Sequence, residues 1–304
     1  MELVGVGNCC YDYLCTIKEY PPEDGSTKIL DIQTQGGGAV ATALVAASRL
    51  ETPVAFIGEL GDDEVGQKIA SELKRERVNL SAVDLRREVT SLTSYVMIQP
   101  EHGTRTKFPL LDHSPPFAWD ERRKRMVKEA QAVHLDGTHY SNARNAAELA
   151  KKYGVTISLD GSTRQKDNRL NQELASMADI LITSASYPTA VTGKNTLEEA
   201  LLEMGTWGPS LVMATVGARG VYALMDGEIV HYPAKTAQVV DSTGAGDVFH
   251  GAFLAAYLKG HDPVQCIDVA QYAAARKCEQ IGGRRGIPTW EQVQEYLLSS
   301  QSTV

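Results

Sequence analysis

Short β-branched runs alternate with segments of helical period along most of this chain. The candidate strands are residues 3–7, 54–58, 132–136, 155–160, 180–183 and 211–215, and helical patterns lie between them at 39–50, 64–78, 120–131, 141–153 and 196–205. Parallel strands need crossover connections, usually helices, so this rhythm predicts an α/β fold of three layers, α/β/α. Several strands end in Asp or Gly, as at Asp136-Gly137 and Asp160-Gly161. In open α/β sheets the ligand crevice lies beyond the carboxyl ends of the strands.

Two stretches interrupt the rhythm with extended residues and no helix, at about 12–35 and 90–110. Both read as hairpins, and the sequence predicts that they pair into a small separate sheet serving as a lid on a single domain spanning 1–304. A further hairpin is expected at 221–225 and 229–232, and the last quarter reads as helices at 244–260, 263–280 and 290–299.

Charge and cysteine content exclude several classes of function. The 304 residues carry a net charge of -8, and the most basic runs, 74–77 and 121–125, each include a Glu and read as solvated helix faces, so no nucleic-acid partner is expected. No run approaches the ~18 to 20 apolar residues of a membrane span. The five cysteines show no metal-type spacing and read as reduced thiols of a cytoplasmic protein.

Chemistry concentrates at 239–253. Gly244, Ala245 and Gly246 are small residues opening a helix. The first N–H groups of a helix lack internal partners and sit at the positive end of its dipole, so an anion such as phosphate could approach them closely. Asp247, just inside that turn, could accept the proton of an attacking hydroxyl; alternatively it merely caps the helix. Gly36, Gly37 and Gly38 precede an Ala-rich helix and would let backbone N–H groups meet a polar ligand, or simply form a loop. Asp12, expected just after the first strand, could accept two hydroxyl hydrogen bonds. Thr215, Gly217 and Gly220 follow a strand and by themselves describe a turn. Residues 192–195 lack the Walker A spacing, and the Gly5, Gly7 pair lacks the third glycine of a dinucleotide fingerprint, with Cys10 in its place.

The stretch from Asp241 to Gly251 resembles the signature of the PfkB, or ribokinase-like, carbohydrate kinases. The Gly36-Gly37-Gly38-Ala39 run and residues 56–66 are similar to further family segments in the same order. The resemblance implies ATP-dependent transfer of a phosphoryl group to a hydroxyl of a sugar or sugar-like substrate, with nucleosides or non-catalytic sugar binding on the same scaffold as alternatives. It implies Asp247 as general base, with Gly244, Ala245 and Gly246 at the transferring group. It further implies substrate contacts from Asp12, Gly37, Gly38 and Thr42, and a nucleotide site at Thr215, Gly217 and Gly220. Mg2+ would accompany ATP, and a K+ site near Asp241, Thr243 and Gly286 is implied, as is a homodimer through the lid.

The chain departs from the family pattern in two places. Ser184-Ala185-Ser186-Tyr187 stands where relatives carry Asn-x-x-Glu, and Thr42 where ribokinase has Asn. Thr42, His250 and Lys277-Cys278 are similar to a bacterial subgroup that includes sulfofructose kinases, but Gly137-Thr138-His139 lacks the Arg expected there. Arg284 and Arg285 read equally well as surface residues.

Overall fold

The computed structural model describes residues 1–110 and 116–301. Thirteen strands are present among them: β1 Leu3–Val6, β2 Cys10–Ile17, β3 Ile29–Gly37, β4 Val54–Gly61, β5 Asn79–Arg86, β6 Thr93–Gln99, β7 Thr104–Pro109, β8 Ala132–Asp136, β9 Thr156–Gly161, β10 Ile180–Ser184, β11 Leu211–Thr215, β12 Val221–Met225 and β13 Glu228–Tyr232. The helices are α1 Ala39–Arg49, α2 Glu64–Arg75, α3 Glu121–Lys128, α4 Tyr140–Tyr153, α5 Asn168–Met177, α6 Tyr187–Thr192, α7 Leu197–Gly205, α8 Ala245–Leu258, α9 Pro263–Cys278 and α10 Trp290–Gln301. Polar residues fix several helix starts. Asp63 and Asp120 cap α2 and α3, while Thr196 with Glu199 and Asp262 with Gln265 form capping boxes on α7 and α9.

Nine strands form the main sheet, in the order β13-β12-β11-β10-β9-β8-β1-β4-β5. All its pairings are parallel except those of β12 with β11 and β13. Both faces are covered, as parallel strands require. Leu3 of β1 packs with α1, α2, α8 and α9 on one side, and Val4 and Val6 pack with α3, α4, α5 and α7 on the other. The chain leaves β1 toward β4 and β5, then crosses back to β8, so the direction of winding reverses between β1 and β8. A ligand crevice is expected at that switch point.

The extended interruptions form a second sheet in the order β3-β2-β6-β7. Leu14, Val96 and Ile98 are buried on the face where Ile281 of the main body packs. Asp12 lies on this face, two residues before Leu14, so it belongs to β2 of the small sheet and not to a loop after β1. The strand β5 and the helix α5 have no counterpart in the sequence reading. β5 is an edge strand with half-exposed polar residues such as Asn79 and Asp84, which blunts the hydrophobic alternation.

Helix α8 runs through the core against α1. A Cβ on Gly251 would overlap the Ala43 carbonyl oxygen and come within 2.8 Å of the Ala46 Cβ, so a glycine there allows the helices to touch backbone to backbone. Beneath α8 lies a buried polar cluster built from in-register neighbours, His134 beside Ser158 and Asp136 beside Asp160. His134 Nδ1 is 3.2 Å from Ser158 Oγ, and His250 Nε2 of α8 is 3.4 Å from Asp160 Oδ1. The two imidazole centroids are 5.2 Å apart. Burial opposes charge on every member. The neighbouring carboxylates, Asp160 first, nevertheless raise the pKa of His250. Burial works against ionisation of Asp160 as well, yet the two histidines and Ser162 hold its pKa down at about 2. Burial, reinforced by His250, pushes His134 down to about 3. The cluster therefore couples His250 to the Asp160 carboxylate and leaves His134 neutral at neutral pH.

Two stability predictions follow from this packing. Gly251→Ala should lower the free energy of unfolding by roughly 1–3 kcal/mol, read from urea midpoints; an unchanged midpoint would show that the α1–α8 contact tolerates a methyl. His250→Gln strands the buried Asp160 carboxylate and should cost roughly 3 kcal/mol. Because the folded pKa of His250 is raised, its contribution is complete below the unfolded value of about 6.5 and fades as pH rises through the folded value. The difference in melting temperature between the wild type and this variant should therefore shrink in alkaline buffer, and a difference independent of pH would contradict the ion pair.

Candidate active site

The first turn of α8 forms the floor. Gly244 precedes it in the left-handed region, at φ 74°, which glycine adopts without Cβ strain. A Cβ there would also lie 2.8 Å from the Cα of Gly283. Ala245, Gly246 and Asp247 then open the helix; the Ala245 amide donates to the Ser242 carbonyl at 3.3 Å, and the Gly246 and Asp247 amides follow in the first turn, where no earlier helical carbonyl is available. Gly246 is exposed and a Cβ on it would meet nothing within 4 Å, so the approach to these amides is open.

A cavity of about 620 Å³ faces this turn. Thr215, Gly217 and Gly220 share its wall with Ala245 and Gly246, and Gly103 reaches it from the β6–β7 turn of the small sheet. Ser242 Oγ donates to the Gly103 carbonyl at 3.4 Å, which ties the small sheet to the start of the α8 turn. Two segments that the sequence treats separately, after β11 and before α8, thus enclose one space. It combines apolar walls with a helix N-terminus, an arrangement suited to a ligand with a flat apolar end and an anionic tail.

On the other side of Asp247 lies Asp12. It is buried, and burial raises its carboxyl pKa; Cys10, Lys107 and Arg284 pull it down in part, while the charge of Asp247 pushes it further up. The two carboxylates therefore sense each other across the cleft. Gly37 is required beside Asp12, because a Cβ there would overlap the Asp12 carboxylate. Gly38 follows at φ 93°.

The glycine run is held from below by residues that sequence reasoning placed elsewhere or did not single out. The sequence left open whether Arg284 lies at the surface; it is buried. Its guanidinium donates to Glu72 Oε1 at 3.0 Å, to the Gly37 carbonyl at 3.1 Å and to Thr42 Oγ1 at 3.4 Å, and the Gly36 N–H donates to Glu72 Oε2 at 2.6 Å. These partners satisfy a planar cation that would otherwise be costly to bury. Glu72 and Arg284 are 212 residues apart, and no local pattern links them. Arg285 is exposed and bonds Gln33.

Asp241, Thr243 and Gly286 meet at a third corner. The Asp241 carboxylate accepts Thr243 N at 2.8 Å, Thr243 Oγ1 at 2.7 Å and Gly282 N at 2.7 Å. Its carbonyl accepts Lys277 Nζ at 2.6 Å, and Lys277 is fully buried. A Cβ on Gly286 would lie 2.8 Å from the Lys277 Cα, so this glycine packs directly on the lysine backbone. Where the family pattern would have Glu, Tyr187 is buried among apolar residues of the second core. Among the described residues, no group of three or more His, Cys, Asp or Glu side chains could hold a metal ion.

Comparison with known proteins agrees with this geometry. The pfkB family carbohydrate kinase model matches residues 2–290. The chain is 28% identical to a nucleoside kinase of Methanothermobacter thermautotrophicus, over 97% of this chain and 95% of that protein. It is 26% identical to a ribokinase of Haemophilus influenzae, over 97% and 98%. The solved structure of Arabidopsis thaliana ribokinase complexed with ribose and ATP superimposes with a TM-score of 0.85 at 27% identity, covering 97% of this chain and 98% of that one. With a nine-stranded α/β body, a glycine-lined cavity at the N-terminus of α8 and a family match from Glu2 to Trp290, the chain belongs to the pfkB family of carbohydrate kinases.

Proposed function

We propose that this kinase binds ATP along the wall made by Thr215, Gly217 and Gly220 and passes its γ-phosphate to a hydroxyl of a sugar held by Asp12, Gly37, Gly38 and Thr42. The observation that supports this reading is that Asp247 stands in the first turn of α8, beside Gly246, and that its charge acts on the buried carboxyl of Asp12. An acceptor hydroxyl bonded to Asp12 would lie between a base and a phosphate site. Asp247 would take the hydroxyl proton as the oxygen attacks, and the Ala245, Gly246 and Asp247 amides would meet the charge of the transferring group. Gly244 would keep the turn in the shape that aims those amides.

Thr42 is fixed by Arg284, so its hydroxyl is oriented and not free to adapt. A short, fixed hydroxyl favours a compact polyol surface, and ribose, ketoses and the ribose of a nucleoside are the acceptors to compare. Mg2+ would arrive with the nucleotide and neutralise its phosphates. Mg2+ commonly keeps several waters and takes few protein ligands, which suits a site without a carboxylate cluster.

The small sheet is read as a lid that excludes water during transfer. Its outer face carries Tyr13 stacked on Tyr95 at 5.1 Å, with Ile32, Tyr95 and Phe108 about half exposed. We read this apolar face as the contact with a second copy of the chain. A cytoplasmic location is supported by five free, buried cysteines and by the absence, among the described residues, of a helix long and apolar enough to cross a membrane.

Asp247→Asn should lower substrate-dependent ADP formation by roughly 10²- to 10⁴-fold without changing the melting temperature. Near-normal turnover would remove Asp247 from the base role. Sedimentation should find a dimer for the wild type and a monomer for Ile32→Glu combined with Tyr95→Glu; a wild-type monomer would end the dimer reading.

A further inference from the structure

Lys277 is a buried side chain that the phosphotransfer scheme above does not use. It sits near the C-terminal end of α9, with Cys278 closing the helix, and its stem is enclosed completely. Its Nζ lies 2.6 Å from the Asp241 carbonyl, six residues before the proposed base. The backbone on either side is shared with the site: Val240 N and Asp241 N both donate to the Cys278 carbonyl, at 2.8 and 3.1 Å. Asp241 in turn holds Gly282 N and both donors of Thr243. Through its one bond to the Asp241 carbonyl the ammonium thus meets a loop that leads directly into the first turn of α8.

The resemblance to the kinase family implied a monovalent cation here, near Asp241, Thr243 and Gly286. The residues present do not fit one. A potassium ion needs several oxygens aimed at one point. Both Asp241 carboxylate oxygens are engaged by N–H and O–H donors, its carbonyl is taken by a cationic nitrogen, and Gly286 is packed on the lysine backbone. A second positive charge beside the ammonium would also be repelled.

We propose that the Lys277 ammonium takes the place of a monovalent cation at this corner, fixing the Asp241–Gly246 loop and adding positive charge behind the phosphate site, so that the enzyme works without potassium. This rests on the kinase reading for its effect on turnover but not for its effect on ion binding. Burial lowers the pKa of Lys277, while Asp241 and, from further away, Asp247 draw it upward; Arg105 of β7 opposes them. A tethered cation costs no ion-binding equilibrium and cannot be lost when potassium is scarce.

The test compares the wild type with Lys277→Ala, which leaves space for an ion, and Lys277→Met, which fills the space without charge. Each is assayed in potassium and in tetramethylammonium, an ion too large to enter, at matched ionic strength. Wild-type turnover and melting temperature should be the same in both salts. Lys277→Ala should lose turnover in tetramethylammonium and regain about tenfold in potassium, equivalent to ~1.4 kcal/mol, with a potassium-dependent rise in melting temperature. Lys277→Met should not be rescued. Wild-type crystals soaked in thallium(I), a heavy mimic of potassium, should show no anomalous peak at the Asp241 carbonyl.

A thallium peak there, or a wild-type enzyme that needs potassium, overturns the proposal. So does a Lys277→Ala variant that is fully active in tetramethylammonium, or one that folds but gains nothing from potassium. If both variants fail to fold in every salt, the wild-type salt comparison and the thallium map still decide. If no acceptor elicits ADP from the wild type, the kinase reading fails, and the melting and thallium measurements judge the cation role independently.

Discussion

The buried guanidinium of Arg284 is the interaction on which the rest of the site depends. From the loop after α9 it reaches the end of β3, the first helical turn after the glycine run and the side chain of Glu72 on α2. The same loop supplies Gly282 N to the Asp241 carboxylate and sets the Gly283 backbone against Gly244. The acceptor corner and the phosphate turn are therefore docked on one short segment, residues 282–286. Removing one partner of a buried charged pair leaves the other unsatisfied, so loss of either Arg284 or Glu72 would disturb both halves of the site together.

Electrostatics explain why the cleft is built from two sheets. Its floor carries two carboxylates, Asp12 and Asp247, in a chain whose net charge is -8, and an incoming polyphosphate adds more negative charge. The compensating cations come from separate places: Arg284 behind the glycines, Lys277 behind the phosphate turn, and Lys107 on the small sheet. Val96 pairs with Lys107 and Ile98 with Arg105 across β6 and β7, which puts both cations on the face that carries Asp12. The small sheet thus supplies charge as well as cover, and its seat on Ser242 keeps that charge near the nucleotide cavity.

Much of this was legible in the sequence because it is local. The α/β rhythm gives the layers, the capping residues give helix starts, and the run from Asp241 to Asp247 gives the glycine turn that opens α8. The glycines at 244 and 37 are readable as positions where a side chain would collide. What the sequence could not display were partnerships made by folding. Whether Arg284 is a surface residue could not be read because its partner is on α2, and Lys277 looks like an ordinary helix-end lysine because the carbonyl it meets is in another segment. Asp12 looks like a loop residue because the chain turns out of the main sheet within three residues of β1. The helix α5 and the edge strand β5 escaped because their exposed faces dilute the apolar period.

The replacement of Asn-x-x-Glu by Ser184-Ala185-Ser186-Tyr187 has a structural counterpart. Tyr187 turns into the second core, where Gly161 leaves room for its ring: a Cβ on that glycine would lie 3.3 Å from it. An apolar contact therefore stands where relatives have a carboxylate, and the negative charge that would have organised a metal from this side is missing. The nearest buried acid, Asp160, is committed to His250. Under the proposed function, phosphate would be met by the α8 amides and by the tethered cations Lys277 and Arg284. Fixed donors and a fixed ammonium would need no reorganisation when charge develops on a transferring group, which is the preorganisation that phosphoryl transfer uses.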